Sequence, residues 1–99
     1  MTEAVIIELQ PLPGQYTRLA VLVKQMVEQV RDYPGCLQAD TLLAPDRNEI
    51  AIFQRWETAE AFSDYLIWRS KQEDFAQLHT LLAAEPGFKS FALGMGMGA

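Results

Sequence analysis

The sequence contains a single cysteine, Cys36, so no disulfide bond can form within the chain. Long apolar segments are also missing. The longest uninterrupted apolar run, residues 19–23, is far shorter than the roughly 20 residues that a membrane-spanning helix needs. The first residues, Met1 to Glu3, have neither the basic segment nor the apolar stretch of a signal peptide. These absences predict a cytoplasmic protein that does not span a membrane.

Basic residues are few and scattered. The chain has 8 Lys and Arg against 13 Asp and Glu, which gives a formal net charge of -5, and no segment concentrates the cations. A protein that binds nucleic acid needs a positive surface to displace counterions from the phosphates, so no nucleic-acid partner is expected. The 99 residues, 49% of them hydrophobic, have room for one core, and we therefore expect residues 1–99 to form a single domain.

The first third of the chain is predicted to form a strand followed by a helix. Apolar residues occupy every second position over residues 4–10, at Val5, Ile7 and Leu9, which predicts a half-buried strand. Beyond it, apolar residues recur at spacings of three and four, at Leu19, Leu22, Val23, Met26, Val27, Val30 and Tyr33. This spacing predicts an amphipathic helix, and the pair Pro34-Gly35 is expected to end it.

A hairpin is predicted after this helix. Residues 36–43 form its first strand, residues 44–48 have the composition of a turn, and residues 50–56 form the returning strand. Both faces of the returning strand are apolar, as expected for a strand in the interior of a sheet.

The last third of the chain is predicted to be helical and then to return as a strand. Thr58 is a suitable N-cap for a helix over residues 58–69. The apolar stripe loses its phase around residues 70–74, which predicts a kink or a second short helix. Residues 88–93 form a last strand, and residues 94–99, in which Gly and Met alternate, are expected to be a mobile tail outside a core of about residues 4–93.

The order strand, helix, strand, strand, helix, strand predicts an α+β fold of the ferredoxin-like kind. In this fold a four-stranded antiparallel sheet carries its helices on one face. The other face then exposes several apolar residues, namely Ile6, Leu42 or Leu43, and either Ala51 and Phe53 or Ile50 and Ile52. Because a monomer rarely leaves so much apolar surface in water, we expect a homodimer packed sheet to sheet about a two-fold axis.

Three local motifs are similar to those of a known family. The first strand is followed by Pro13-Gly14, the first helix ends at residues 34–37 (Pro-Gly-Cys-Leu), and the third strand runs into residues 53–62 (Phe-Gln-Arg-Trp-Glu-Thr-Ala-Glu-Ala-Phe). Over about residues 4–93 the chain resembles the antibiotic biosynthesis monooxygenase family. Members of that family are dimeric α/β barrels, each built from two ferredoxin-like chains, so the resemblance implies this architecture.

The resemblance also implies an activity. The family includes oxygenases that act on quinol-like molecules without metal or flavin, and this chain is therefore expected to be a cofactor-independent monooxygenase for a small aromatic or quinol-like molecule. The alternative is a dimer that binds a small ligand or haem without turnover. Haem-degrading members have an asparagine, a tryptophan and a histidine where this sequence has Ile7, Tyr65 and His79. Two of these three differ, so haem is not the favoured cofactor.

Three residues are candidates for catalysis. Trp56 ends a strand where sheet and helix diverge, and its ring could stack on an aromatic ligand. Tyr65 lies on the inner side of the second helix and could donate a hydrogen bond to a phenolate or quinone oxygen. His79, the only histidine, could shuttle a proton or bind haem iron. The expected walls of the substrate pocket are Ile7, Phe53, Phe62 and Arg69.

Each of these residues also has a purely structural interpretation. The aromatic residues could serve only as core, and His79 could be a packed histidine with one hydrogen bond to the backbone. Arg69 could be a solvated surface cation. Trp68 is expected to lie off the inner face of its helix and to meet solvent or a partner subunit.

Overall fold

The computed structural model describes residues 2–93 and gives four strands, three α-helices and one short 3₁₀ helix. The predicted mobile tail, residues 94–99, lies outside the described residues. In chain order the elements are β1 (Glu3–Leu9), α1 (Tyr16–Val30), β2 (Cys36–Ala44), a 3₁₀ turn (Pro45–Arg47), β3 (Glu49–Trp56), α2 (Ala59–Arg69), α3 (Glu73–Thr80) and β4 (Gly87–Ala92).

The strands form one antiparallel sheet in the order β2-β3-β1-β4, with the helices on one face. This confirms the ferredoxin-like α+β prediction and the interior position of β3. Thr58 caps α2 as predicted, since its Oγ1 accepts a hydrogen bond of 3.0 Å from the backbone N–H of Ala61. The loss of phase after residue 69 corresponds to a separate short helix, α3. Within residues 2–93, no helix has the length and apolar character needed to cross a membrane.

One predicted boundary is wrong. The apolar stripe extended the first helix to Tyr33, but α1 ends at Val30 and Tyr33 lies in the turn that follows, where its N–H donates to the carbonyl of Val30 at 2.9 Å. A residue that precedes proline is disfavoured in helical conformation, and Pro34 follows Tyr33 directly. The Tyr33 ring nevertheless packs against the core, which is why its spacing matched the helical stripe.

The register of the sheet separates a core face from an open face. On the core face, Ile7 of β1 lies opposite Ile52 of β3, and these residues pack with α1 into the main hydrophobic core. On the open face, Ile6 lies opposite Phe53. The register therefore decides between the predicted alternatives. The apolar residues of the open face are Ala4, Ile6, Leu42, Ala44, Ala51, Phe53 and Phe91.

The edge strand β4 is exposed along its whole length. Two of its residues are large and apolar: Phe88 is 50% exposed and Phe91 is 54% exposed. Because successive side chains of a strand point to opposite faces, two residues three positions apart lie on different faces. Phe91 belongs to the open face and Phe88 to the face that carries the helices. β4 is thus the least buried part of the sheet.

Gly35 lies directly before β2 and packs against the start of α2. Its φ angle is +90°, in the left-handed region that favours glycine. A Cβ atom at this position would lie only 2.6 Å from the Cβ of Ala61 on α2. The carbonyl of Gly35 also accepts a hydrogen bond of 2.8 Å from the N–H of Glu57. This close contact fixes the end of β3, and with it Trp56, against α2.

Candidate functional site

Five aromatic side chains meet between the sheet and α2. We call them the aromatic cluster: Tyr33, Trp56, Phe62, Tyr65 and Trp68. Trp56 has no exposed surface, and its ring centroid lies 5.2 Å from that of Tyr65 and 5.8 Å from that of Phe62. Tyr33 packs edge-on against Trp56 and Tyr65. Trp68, 38% exposed, closes the cluster on the solvent side. The rings of the cluster thus pack mainly on one another, and Trp68 is the member with the most exposed surface.

Arg69, the last residue of α2, holds one edge of this cluster. Its Nε donates to the hydroxyl of Tyr65 at 3.1 Å, and its Nη1 donates to Gln29 Oε1 at 2.9 Å and to Asp74 Oδ2 at 2.7 Å. Its Nη2 donates to the carbonyl of Met26 at 3.2 Å. Arg69 is only 2% exposed, so its interpretation as a solvated surface cation is wrong. The side chain instead joins α1, α2 and α3 beside Tyr65.

The hydroxyl of Tyr65 is the polar group at the centre of the cluster. Tyr65 is buried, and its oxygen accepts the hydrogen bond from Arg69 Nε. Within residues 2–93, no group accepts a hydrogen bond from the Tyr65 O–H in return. Burial raises the pKa of Tyr65, whereas the hydrogen bond and charge of Arg69 act in the opposite direction. Tyr65 therefore stays protonated at neutral pH and keeps one hydrogen to donate.

The ring of Trp56 is oriented by a polar partner on its own strand. Its Nε1 donates a hydrogen bond of 3.0 Å to Oε1 of Gln54, and both side chains are buried on the core face of β3. Gln54 is not among the site residues predicted from the sequence. The signal was present, however, because Gln54 interrupts the otherwise apolar alternation of Ile50, Ile52 and Trp56.

The predicted pocket residues separate into two groups. Phe62 and Arg69 contact the aromatic cluster directly, as described above, and Ile7 lies on the same face of the sheet, in the core. Phe53 does not join them, because it lies on the open face opposite Ile6. The structure therefore brings together Trp56, Phe62, Tyr65 and Arg69, and it places Phe53 on the other side of the sheet.

His79 lies on α3, apart from the aromatic cluster. Its Nδ1 is 2.9 Å from the carbonyl of Phe75, and its ring centroid is 4.5 Å from that of Phe75. Its Nε2 is 3.9 Å from a carboxylate oxygen of Glu85. Among the described residues, no contact joins His79 to Trp56 or Tyr65. The structure thus gives His79 the backbone partner of a packed histidine, and its catalytic role stays a prediction.

A notch of about 700 Å³ opens at the Arg69 end of the cluster. Its walls include Trp68, Arg69 and Asp74, together with polar residues of the segment between α2 and α3. Trp68 belongs both to the notch and to the aromatic cluster, since its ring centroid lies 4.8 Å from the guanidinium carbon of Arg69 and 6.2 Å from the ring centroid of Tyr65.

A second concave surface lies on the other side of α1. It has a volume of about 570 Å³ and is lined by the outer side of α1 and the edge strand β2, including Tyr16, Val27 and Leu43. It shares no lining residue with the aromatic cluster. Within residues 2–93, no three His, Cys, Asp or Glu side chains lie together in a way that could hold a metal ion.

Solved structures with the same fold span almost the whole chain. The protein Rv0793 from Mycobacterium tuberculosis matches with a TM-score of 0.80 and 22% identity, covering 98% of this chain and 99% of its own. A protein from Chloroflexus aurantiacus that carries the name of antibiotic biosynthesis monooxygenases matches with a TM-score of 0.72 and 27% identity, covering 99% of this chain and all of its own.

A mutant of SnoaB, a cofactor-independent oxygenase from Streptomyces nogalater, matches with a TM-score of 0.79 and 12% identity, covering 99% of this chain and 98% of its own. No curated protein sequence matches this chain. The family model named antibiotic biosynthesis monooxygenase matches residues 4–66, more than half of the sequence, and includes β1, the hairpin, Trp56 and Tyr65. The chain therefore belongs to the antibiotic biosynthesis monooxygenase family.

Proposed function

We propose that this chain is a cofactor-independent monooxygenase that acts on a small aromatic or quinol-like molecule. Membership of the family supports an oxygenase, and SnoaB, with the same fold, is an oxygenase that needs no cofactor. The observation that carries the proposal is the buried Tyr65 hydroxyl. It is polarised by Arg69, keeps a free hydrogen to donate, and lies among stacked aromatic rings.

In this proposal the substrate ring enters from the notch and displaces the indole of Trp68. Tyr65 then donates its hydrogen to an oxygen of the substrate ring, and the positive charge of Arg69 behind it stabilises the substrate as an anion. Because the site is closed to water, the charge of Arg69 is weakly screened. The rings of Tyr33 and Tyr65, against which the indole of Trp68 packs, hold the apolar part of the substrate ring, and Trp56 supports Tyr65 from the core side.

The substrate itself supplies the electrons. A ring that enters the site as an anion, having released its proton to the solvent outside, is electron-rich enough to react with molecular oxygen, and in the overall change one oxygen atom enters the ring as a carbonyl while the other leaves as water. The substrate ring as a whole is oxidised by four electrons and gives up two hydrogens, which leave in the water, and this balances the reduction of dioxygen to these two products. The protein's contribution is to bind the anion, orient it and exclude water.

Replacing Tyr65 by phenylalanine is expected to lower kcat by about 100-fold, the scale of losing one donor to a developing oxyanion. The ring and its stacking remain, so KM should change much less than kcat. The measurement is oxygen uptake with a panel of quinols and anthrone-like phenols. Tyr33→Phe is the matched control, since it removes a hydroxyl from the same cluster but not the one that Arg69 contacts.

Two results would contradict this proposal. One is oxygen uptake by Tyr65→Phe equal to that of the wild type. The other is the absence of any oxygen uptake by the wild type across the panel, which would favour a protein that binds its ligand without turnover.

The proposed enzyme works as a homodimer, with the open faces of two sheets packed against each other. The apolar side chains of this face, which include Ile6, Leu42, Ala51, Phe53 and Phe91, are distributed over all four strands and lie among the charged side chains of Glu8, Asp40, Arg55 and Lys89. Phe91, on the edge strand, is more than half exposed in the single chain. A second copy would remove this apolar surface from water, and a two-fold axis makes the same face serve both chains.

Native mass spectrometry of the wild-type protein is expected to show a dimer. Phe91→Asp should raise the dimer dissociation constant by about 100-fold or more, because an unpaired carboxylate is costly to bury in an interface. Val21→Asp is the matched control, since Val21 is also 54% exposed but lies on α1. A monomeric wild type, or equal effects of the two substitutions, would be inconsistent with this interface.

A further inference from the structure

Asp74 is hydrogen-bonded to the proposed site through Arg69. It lies in the first turn of α3, and its Oδ2 accepts the shortest hydrogen bond that Arg69 makes, 2.7 Å from Nη1. Arg69 in turn donates from Nε to the Tyr65 hydroxyl at 3.1 Å. Three polar groups thus form one line, from the carboxylate through the guanidinium to the phenol.

Because the guanidinium of Arg69 is rigid, a hydrogen bond at one of its nitrogens also orients the others. Its five N–H donors lie in one plane, so a partner that fixes Nη1 also fixes the direction in which Nε points. Asp74 and Gln29 both accept from Nη1, and the Met26 carbonyl accepts from Nη2. Among these partners, Asp74 is the one that carries a negative charge. It therefore both orients Arg69 and partly balances its charge.

Four elements place polar groups around Tyr65, and two of them supply a charge. Arg69 at the end of its own helix is positive, and Asp74 on α3 is negative. From β2, Cys36 adds a thiol whose pKa is raised by burial, so it is uncharged at neutral pH. α1 contributes the neutral amide of Gln29 and a backbone carbonyl. Lys71 and Glu73 line the notch further out. Asp74 is thus the main negative charge acting on the Arg69 and Tyr65 pair.

We propose that Asp74 is a positioning residue of this site, which holds the Arg69 guanidinium against the Tyr65 hydroxyl and partly balances the positive charge that Arg69 presents to it. The role of Asp74 in catalysis rests on the proposed function, whereas its effect on Arg69 and Tyr65 does not. Without the carboxylate, the full charge of Arg69 would act on the phenol, and the ionised form, which cannot donate, would extend to lower pH. Burial still raises the pKa of Tyr65, and Asp74 adds to that effect.

The test is an absorbance titration of tyrosine ionisation in the folded protein, with Tyr65→Phe used to assign the Tyr65 transition. In Asp74→Asn, Tyr65 should ionise at lower pH than in the wild type. Glu73→Gln removes the same charge from the neighbouring residue, which makes no hydrogen bond with Arg69 among the described contacts, and should cause a smaller shift. A Tyr65 transition in Asp74→Asn that is unmoved, or moved no further than in Glu73→Gln, would overturn the proposal.

Gln29→Glu provides a second test that does not remove a partner from Arg69. Because Gln29 also accepts from Nη1, glutamate there adds a second anion, and Tyr65 should ionise at higher pH. In the double variant Asp74→Asn/Gln29→Glu the transition should return towards the wild-type value. An unmoved transition in Gln29→Glu would reject the proposal even if Asp74→Asn does not fold.

These titrations need no substrate, so they are decided independently of the proposed oxygenase activity. If the wild type does consume oxygen, the decline of kcat at high pH should shift to lower pH in Asp74→Asn, in parallel with the Tyr65 transition. A titration that shifts in a protein without oxygenase activity would support the role of Asp74 and contradict only the reaction.

Discussion

Trp56→Ala is expected to lower the free energy of unfolding by about 3–5 kcal/mol, the range for removing a large aromatic side chain from a core. Trp56 has no exposed surface and packs against Tyr33, Phe62 and Tyr65. The substitution leaves a cavity at the junction of β3 and α2. It also leaves the buried Oε1 of Gln54 without its hydrogen-bond partner, which adds to the cost.

Trp68→Ala is the matched control, because it removes the same ring from a partly exposed position of the same cluster. Its cost is expected to be about 1 kcal/mol, in the range of ordinary substitutions. Both variants are measured by denaturant unfolding at one protein concentration, since dimer formation would make the apparent stability depend on concentration. Equal costs for the two substitutions would show that the cluster is not packed as described.

The fold could be predicted from the sequence because its signals are local. The alternation at Val5, Ile7 and Leu9 and the helical spacing from Leu19 to Val30 depend only on neighbours within a few residues. The order of the elements then allowed few topologies. The register did not follow from these signals, since either face of β3 was apolar enough to face the helices. Pairing with β1 decided it and placed Phe53 on the open face.

The site was only partly predictable, because its polar partners are distant in sequence. Trp56 and Tyr65 were identified, as aromatic residues at the end of a strand and on the inner side of a helix. The sequence suggested either a solvated cation or a pocket wall for Arg69. In the structure, Arg69 donates a hydrogen bond to Gln29, which is 40 residues away in the sequence. No spacing rule links an amide on α1 to an arginine at the end of α2. Asp74 was missed for a similar reason, since an acidic residue at a helix start has an ordinary capping explanation.

Asp74→Leu is expected to lower the free energy of unfolding by about 3 kcal/mol or more, the scale for leaving one charge of a buried ion pair without its partner. Arg69 is almost completely buried and has no other anionic partner among the residues described, so its charge would remain in a poorly solvated environment. Replacing both residues, as in Arg69→Met/Asp74→Leu, should recover most of the loss, because no charge then remains buried.

Arg47→Met is the control for this pair. It breaks the ion pair between Arg47 and Glu49, in which both side chains are substantially exposed, and should cost less than about 1 kcal/mol. The coupling energy from a double-mutant cycle of Arg69→Met and Asp74→Leu is the quantity to measure. A coupling energy as small as that expected of an exposed pair would mean that water reaches Arg69. The weakly screened charge that the proposed mechanism places behind Tyr65 would then be screened, and stabilisation of a substrate anion would have to come from the hydrogen bond alone.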